Sequence, residues 1–409
     1  MEFPHSAQGA SSGCSANNLK AKLQSILAES PAQVKEHEQT ALQAILAGCN
    51  NRCVIFGAGS MGRRAVSALS SISVQPLVIS DNNPSLWGTS VEGIAVLPPE
   101  KAAERFGKDA VFFITIHNES HWYRETFEQL TGLGCIAVYS ADPIAWCFSD
   151  RFLPILLYDL PHKVYAQADS VLRAAEIWAD DASRAEYLVQ VRLRALGASS
   201  ELGQPVLESY ILDGVFEIGR GDVLVDCGAF DGDTIRDWIV RQPDFGAIDA
   251  VEADAGSFAK LQYYVVTLEP NLRNKICLHR CAIGAHRGTV RFEDTGTDGS
   301  KISDTGGTVI DLVPIDEICR SKRVSMIKMD IEGGEYDALL GAKQVIERDR
   351  PILAICVYHS QEDLWRLSLL MHGLCPGHRM YLKAYRGDGI QTVAYAVPPE
   401  RVLGNQLAR

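Results

Sequence analysis

A chain of 409 residues, 46% hydrophobic and 22% charged, is long enough for two domains and has the composition of an ordinary globular protein. Its net charge of -12, from 39 Lys and Arg against 51 Asp and Glu, argues against nucleic acid as a partner, because affinity for phosphate is supplied by Lys and Arg. No run of about 18 apolar residues occurs, so no membrane span is expected.

Residues 1 to about 17 are rich in Ser, Gly and Ala and are expected to be disordered. They lack a basic start and an apolar core, so they do not read as a signal peptide. The eleven cysteines form no C-x-x-C pair, which points to reduced thiols and a cytoplasmic location. Cys277 and Cys281 read as buried, small apolar residues. Residues 18–47 carry apolar positions at helical spacing and predict one or two helices, the second starting at Pro31. Residues 1–49 thus form a disordered start and a helical segment.

From Arg52 an apolar run leads into Gly57-x-Gly59-x-x-Gly62 and an amphipathic helix, and a second run ends in Asp81, 24 residues after Gly57. Strands and helices alternate to about residue 145, which predicts a parallel sheet covered on both faces over 50–145, a Rossmann-like domain of nucleotide-binding type. Residues 146–220 lack the alternation, and 169–196 read as helix, so this part is expected to be a helical connector or cap. Alternation restarts at 221 and runs to 409, where the segments YLKAYR and TVAYAVP read as an antiparallel pair closing a sheet edge. The expected fold class is α/β, with two doubly wound Rossmann-like domains joined by a helical connector.

The two glycine turns have opposite chemistry. GAGSMGRR holds no acid, and a helix start with free N–H groups favours an anion there. Asp81, at the end of the next strand, has the spacing of a ribose-binding acid. The second turn, residues 226–234, contains Asp226, Asp231 and Asp233. Carboxylates in a partly buried turn would repel a phosphate by several kcal/mol, so the ligand should carry positive charge. S-adenosyl-L-methionine does, through its ammonium and sulfonium. Gly228 and Gly232 would let the backbone approach it, with Ala229, Phe230 and Asp231 between them. Glu252, 26 residues after Asp226 at the end of the next strand, is placed for the ribose hydroxyls, beside Ala253. Ala282 and Ile283, read as the end of the third strand, would flank the adenine. Asp231 and Asp233 are also acceptable as an ordinary acidic first turn, whereas Asp226 follows apolar strand residues and should be buried.

The fourth strand with the turn and helix after it, SMIKMDIEGGEYDALLGA over 325–342, resembles the signature of the FkbM family of S-adenosylmethionine-dependent methyltransferases. The matching residues are Lys328, Asp330, Glu332, Gly333 and Leu340-Gly341-Ala342. The segment VPIDEIC upstream and the acidic glycine turn fit the same family, over roughly residues 205 to 400. The resemblance implies a class I methyltransferase fold for 221–409. One departure is Ile355-Cys356-Val357-Tyr358-His359, where the family often has Ile-Glu-x-His, so no carboxylate stands at 356. The first domain resembles, more weakly, the small Rossmann-type modules attached to some sugar-modifying transferases, through Asp81-Asn82-Asn83 and Gly93-Ile94-Ala95-Val96.

Methyl transfer needs a nucleophile held about 3 Å from the methyl and a place for its proton. Asp330 is the first candidate for substrate or cofactor contact, His359 for general base and Glu332 for substrate orientation. The same three are acceptable ligands for a hard divalent cation, but catalysis without metal is expected. The reading is O-methylation of a small-molecule hydroxyl, on a sugar or natural product. The alternatives are N-methylation of an amine or guanidine, and a nucleotide-sugar- or dinucleotide-binding protein with a degenerate second domain. The expected partner is the small-molecule acceptor, with no nucleic acid and no membrane, and a homo-oligomeric state is left open. His117 and His121 are placed to line a pocket in the first domain, which would position or regulate without redox chemistry.

Overall fold

The computed structural model describes residues 15–118, 121–296 and 299–404. Residues 1–14, most of the stretch predicted to be disordered, lie outside the described residues. Ala16 and Asn17 fall within that stretch, yet they open the first helix. The chain divides into two compact units, residues 1–172, 185–206 and 384–390 in the first, and 173–184, 207–383 and 391–409 in the second.

The first unit begins with α1 (Ala16–Ile26) and α2 (Pro31–Gly48). Pro31 opens α2 as expected, and Ser30 caps it. The Ser30 hydroxyl accepts from the Gln33 N–H while the Gln33 side chain accepts from the Ser30 N–H at 3.0 Å, a reciprocal capping box. The sheet has strands β1 (Cys53–Phe56), β2 (Ile79–Ser80), β3 (Ser90–Val91), β4 (Ile94–Leu97), β5 (Val111–Ile114) and β6 (Ala137–Ser140), in the order β3-β4-β2-β1-β5-β6. Apart from the β3–β4 pair it is parallel. Every residue of β1 and β5 is buried. Val54 and Phe56 enter one apolar cluster and Cys53 and Ile55 the other. A strand covered on both faces reads as an unbroken apolar run, which is why this sheet is visible in the sequence.

The predicted helix over 169–196 is broken into Ala168–Ala174 and Asp181–Leu196. Between them the backbone of Trp178 forms a parallel bridge with Met380, and Ala179 N–H donates to the Met380 carbonyl at 2.8 Å. The Asp180 carboxylate then accepts from the Ser183 N–H at 2.7 Å, a local bond that competes with an uninterrupted helix.

The second unit holds β7 (Val223–Cys227), β8 (Ala247–Val251), β9 (Ile276–His279), β10 (Ala282–Ile283), β11 (Gly288–Glu293), β12 (Lys301–Ile302), β13 (Thr308–Val313), β14 (Met326–Met329), β15 (Ile352–Cys356), β16 (Arg379–Ala384) and β17 (Thr392–Val397). Seven of them form one sheet in the order β16-β17-β15-β14-β7-β8-β9, with β17 antiparallel to β15 at the predicted edge. The other four, β10-β13-β11-β12, form a separate small sheet. Cys281 is buried, but Cys277 is exposed, because β9 is the outer strand of the sheet and only one neighbour covers it. The ten cysteines among the described residues are free, and no described helix is long and apolar enough to cross a membrane.

Candidate active site

In the second unit the chain leaves β7 toward β8 and β9 on one side, and returns to place β14 and β15 on the other. The carboxyl ends of β7 and β14 therefore meet at the switch point of the sheet, where open α/β folds hold ligands. The register sets Lys328 directly opposite Asp226. Both side chains are buried, and Lys328 Nζ lies 3.1 Å from Asp226 Oδ1. The same ammonium donates to the Gly228 carbonyl at 2.6 Å and sits 4.8 Å from the centre of the Tyr210 ring. Burial pushes the Asp226 carboxyl up to about 6 against the pull of Lys328. A lysine in an otherwise apolar strand must be paired to be tolerated.

Asp330 follows β14. Its Oδ2 accepts from the Tyr210 hydroxyl at 2.7 Å, and its Oδ1 accepts from the Tyr358 hydroxyl at 2.9 Å. Burial alone would raise its carboxyl, but the His359 ring, Lys328 and Tyr210 outweigh it and hold the group well below the usual carboxylate range. His359 leaves β15 with its side chain 2% exposed and stands among three acids. Nδ1 is 2.9 Å from Glu335 Oε1, and Nε2 is 3.2 Å from Asp330 Oδ1 and 3.5 Å from Glu332 Oε1. Burial lowers its basicity, yet Glu335, Asp330 and Glu332 outweigh it and raise the imidazole well above its ordinary value. A general base needs a free ring lone pair, and His359, expected in that role, stands within ion-pair distance of three carboxylates. Glu332 has φ +55° and Gly333 +97°. A left-handed glutamate costs about 1–3 kcal/mol, and such strain concentrates at functional sites.

The acidic turn lies beside this cluster. Gly228 and Gly232, at φ +79° and +92°, are explained by the protein itself rather than by a ligand's approach. A Cβ at Gly228 would lie 1.8 Å from the Asp330 carbonyl oxygen, and one at Gly232 2.6 Å from the Tyr264 ring. Ala229 is fully buried, and Phe230 is left-handed at φ +45°. Its N–H donates to Glu252 Oε2 at 2.8 Å, while Glu252 Oε1 accepts from the Asp254 N–H at 2.8 Å. Glu252 thus braces the turn from the end of β8, and burial pushes its carboxyl up to about 7 despite those two donors. Asp231 is spent on Arg236, whose guanidinium covers the Tyr264 ring at 4.7 Å.

Ala282 does not end the third strand. β9 stops at His279, and Ala282 starts β10 in the small sheet, paired with Leu312. It is buried with Phe292 and Ile310, and Ala253 packs against the same cluster. The structure therefore gathers Asp226, Asp330, Glu332 and His359 at the switch point and sets Gly228–Gly232 and Glu252 next to them. Ala253 and Ala282 belong to a neighbouring apolar cluster.

Residues 226–386 match the family described as Methyltransferase FkbM domain. This part of the chain is an FkbM methyltransferase domain. The fold of the chain is similar to the crystal structure of methyltransferase FkbM from Methylobacillus flagellatus KT, at 21% identity over 93% of this chain and 99% of that one, with a TM-score of 0.71. Looser overlaps occur with precorrin-6y C5,15-methyltransferase from Geobacter metallireducens GS-15, at 9% identity, TM-score 0.28, 45% of this chain and 83% of that one. Another is with UDP-D-quinovosamine 4-dehydrogenase from Vibrio fischeri, at 22%, 0.19, 22% and 75%. No curated protein matches the chain.

Lys328 and Glu335 within the FkbM domain, and Tyr210 upstream of it, are given no role by sequence reasoning. A signal for Lys328 is present, as a charged residue inside the apolar run of β14. Tyr210 arrives from 120 residues upstream of Asp330 through a segment without regular structure, and no local pattern marks it. Glu208, two residues before Tyr210, is equally unmarked. Partial desolvation and the neighbouring Asp330 push its carboxyl up to about 7, although the residue as a whole is exposed.

Proposed function

We propose that the FkbM domain transfers a methyl group from S-adenosyl-L-methionine to a hydroxyl of a small molecule, with a sugar or natural product as the acceptor class. The observation that carries this reading is Asp330, held by Tyr210, Tyr358 and His359 at the switch point, beside a glycine turn that carries three Asp residues and is braced by Glu252. Such a site favours a ligand with an ammonium and a sulfonium and disfavours a phosphate. The cofactor would supply an electrophilic methyl carbon. Asp226 and Asp330 would face its methionine half, and Glu252 has lone pairs left for the ribose hydroxyls.

The protein's own part in the reaction is to orient the acceptor and take its proton. Glu332 and Glu208 are the carboxylates suited to this, because the raised basicity of His359 favours its protonated form and Asp330 is too weak a base. Glu208, pushed up to about 7, both takes up and releases a proton at neutral pH. Asp330, Glu335 and His359 are close enough to hold a divalent cation together, but the raised basicity of His359 beside the carboxylates favours a proton over a metal there, so turnover is expected to survive EDTA. Loss of activity in EDTA, restored by magnesium, would reverse that assignment.

Calorimetry with S-adenosylhomocysteine tests the reading directly. Glu252→Gln puts an amide against two backbone N–H donors and should weaken binding by about ten- to a hundredfold. Wild-type affinity should fall as pH drops below about 7, where Glu252 takes up a proton and loses acceptor capacity. The variant should lack that slope. A folded variant with unchanged affinity would remove Glu252 from the cofactor site.

A further inference from the structure

A cavity of about 1000 Å³ opens in the first unit at the carboxyl ends of β1, β2 and β5, lined among others by Gly59, Asp81, Asn83, Thr115 and His117. The chain leaves β1 to one side for β2 and later returns to its other side for β5, so this is the switch point of the first sheet. The helix α3 (Ser60–Ser71) starts at its wall.

The three glycines of the turn differ in cause. Gly57 has φ +116°, and a Cβ at Gly62 would lie 1.9 Å from the Gly57 carbonyl oxygen, so the fold dictates both. Gly59 is dictated by nothing inside the protein. Its φ of -73° suits any residue, and a Cβ there would stand in open space. It is nonetheless the N-cap of α3, a position where Ser, Thr, Asp or Asn would satisfy the first N–H groups. No side chain caps α3, and its first turn contains no acid. The positive end of the helix is thus left open to the cavity at a position with room for an anion.

Asp81 reaches the same space. Its Oδ2 accepts from the Ala58 N–H at 2.7 Å and its Oδ1 from the Asn83 N–H at 2.8 Å. Each oxygen keeps a lone pair for a hydroxyl. A smaller cavity of about 100 Å³ shares Met61, Thr115 and His117 with the large one and continues to Tyr158, Phe152 and Asp142. The Asp142 carboxylate there accepts from the Ser140 hydroxyl at 2.7 Å, so apolar walls meet a carboxylate that also binds hydroxyls.

We propose that the first unit binds a nucleoside diphosphate, with the diphosphate at the start of α3, the ribose toward Asp81 and the group carried on the second phosphate in the smaller cavity. The ligand is therefore a nucleotide sugar or a dinucleotide, which share this chemistry. The site is separate from the methyltransferase site and does not depend on it.

The test uses the full chain and a panel of ADP, UDP, UDP-glucose and NADH, read by thermal shift and calorimetry. At least one should bind, and the better of UDP-glucose and NADH names the source. Gly59→Ala should leave the protein folded, with at most a small drop in melting temperature, and weaken that nucleotide by about tenfold or more. Gly59→Asp should cap α3, raise the melting temperature and abolish nucleotide binding. S-adenosylhomocysteine affinity should be unaltered in both. The proposal is overturned if none of the panel binds, if binding is indifferent to both Gly59 variants, or if Glu252→Gln removes nucleotide binding and the Gly59 variants do not.

Discussion

Lys328→Met is expected to destabilise the protein by about 3–5 kcal/mol at pH 7, measured by urea or thermal unfolding. The residue is buried, and its removal leaves the equally buried Asp226 without a counter-charge. Asp226 then escapes the penalty only by taking up a proton. Its ordinary value is 3.8, and burial already brings it to about 6 beside the lysine. Without the lysine its folded value rises further. A carboxylate whose folded value lies above its unfolded one stabilises fully below the unfolded value and loses that contribution as pH rises through the folded value. The variant should therefore recover stability on acidification from pH 7, by up to about 1.4 kcal/mol per pH unit. The double variant Asp226→Asn, Lys328→Met should be more stable than Lys328→Met alone. If the single variant loses less than about 1 kcal/mol and shows no recovery in acid, the buried pair does not hold this site together.

His359→Ala is expected to have an effect of similar size for the opposite reason. It removes one cation from among Asp330, Glu332 and Glu335, which then repel one another in a site with little water. Stability at pH 7 should fall by about 3–5 kcal/mol, and methyl transfer by about a hundredfold or more. The pH dependence separates a positioning role from a base. His359 has a raised folded value, so its stabilisation is complete below its ordinary value of 6.5 and is lost as pH rises through the folded one. The gap between wild type and variant should therefore narrow in alkaline solution. If His359 were the base, activity would rise through its ordinary range near 6.5 and the variant would keep wild-type stability. An activity profile flat across that range, with a destabilised variant, is the expected result.

Much of this arrangement can be read from the chain. The parallel strands appear as unbroken apolar runs because helices cover both faces, and Asp226 and Lys328 stand out because each is a charge inside such a run. The family signature places Asp330, Glu332 and His359 together. What the sequence conceals depends on contacts made far along the chain. Tyr210 reaches Asp330 from a segment with no periodicity, and the state of His359 is set by three acids at once. Ala282 reads as a strand end because apolar residues continue on both sides of His279 and Arg280. The exposed Arg280 marks a break between two sheets that hydrophobicity alone does not show. The glycines mislead in a more instructive way. Gly228 is required by a carbonyl of the protein, whereas Gly59 is required by nothing in the protein, although both stand in similar turns.

The chain passes from one unit to the other after residues 172, 184, 206, 383 and 390. No single cut separates the two units, so a truncation that begins near residue 146 would carry fragments of the first unit and no complete copy of it. Synthesis from the N-terminus meets the same obstacle. Domains ordinarily fold in turn as they leave the ribosome, but the first unit here includes residues 384–390 and is finished only when nearly all of the second has emerged. Its maturation is therefore a late event in translation, and an interrupted chain that stops anywhere in the methyltransferase domain leaves both halves incomplete.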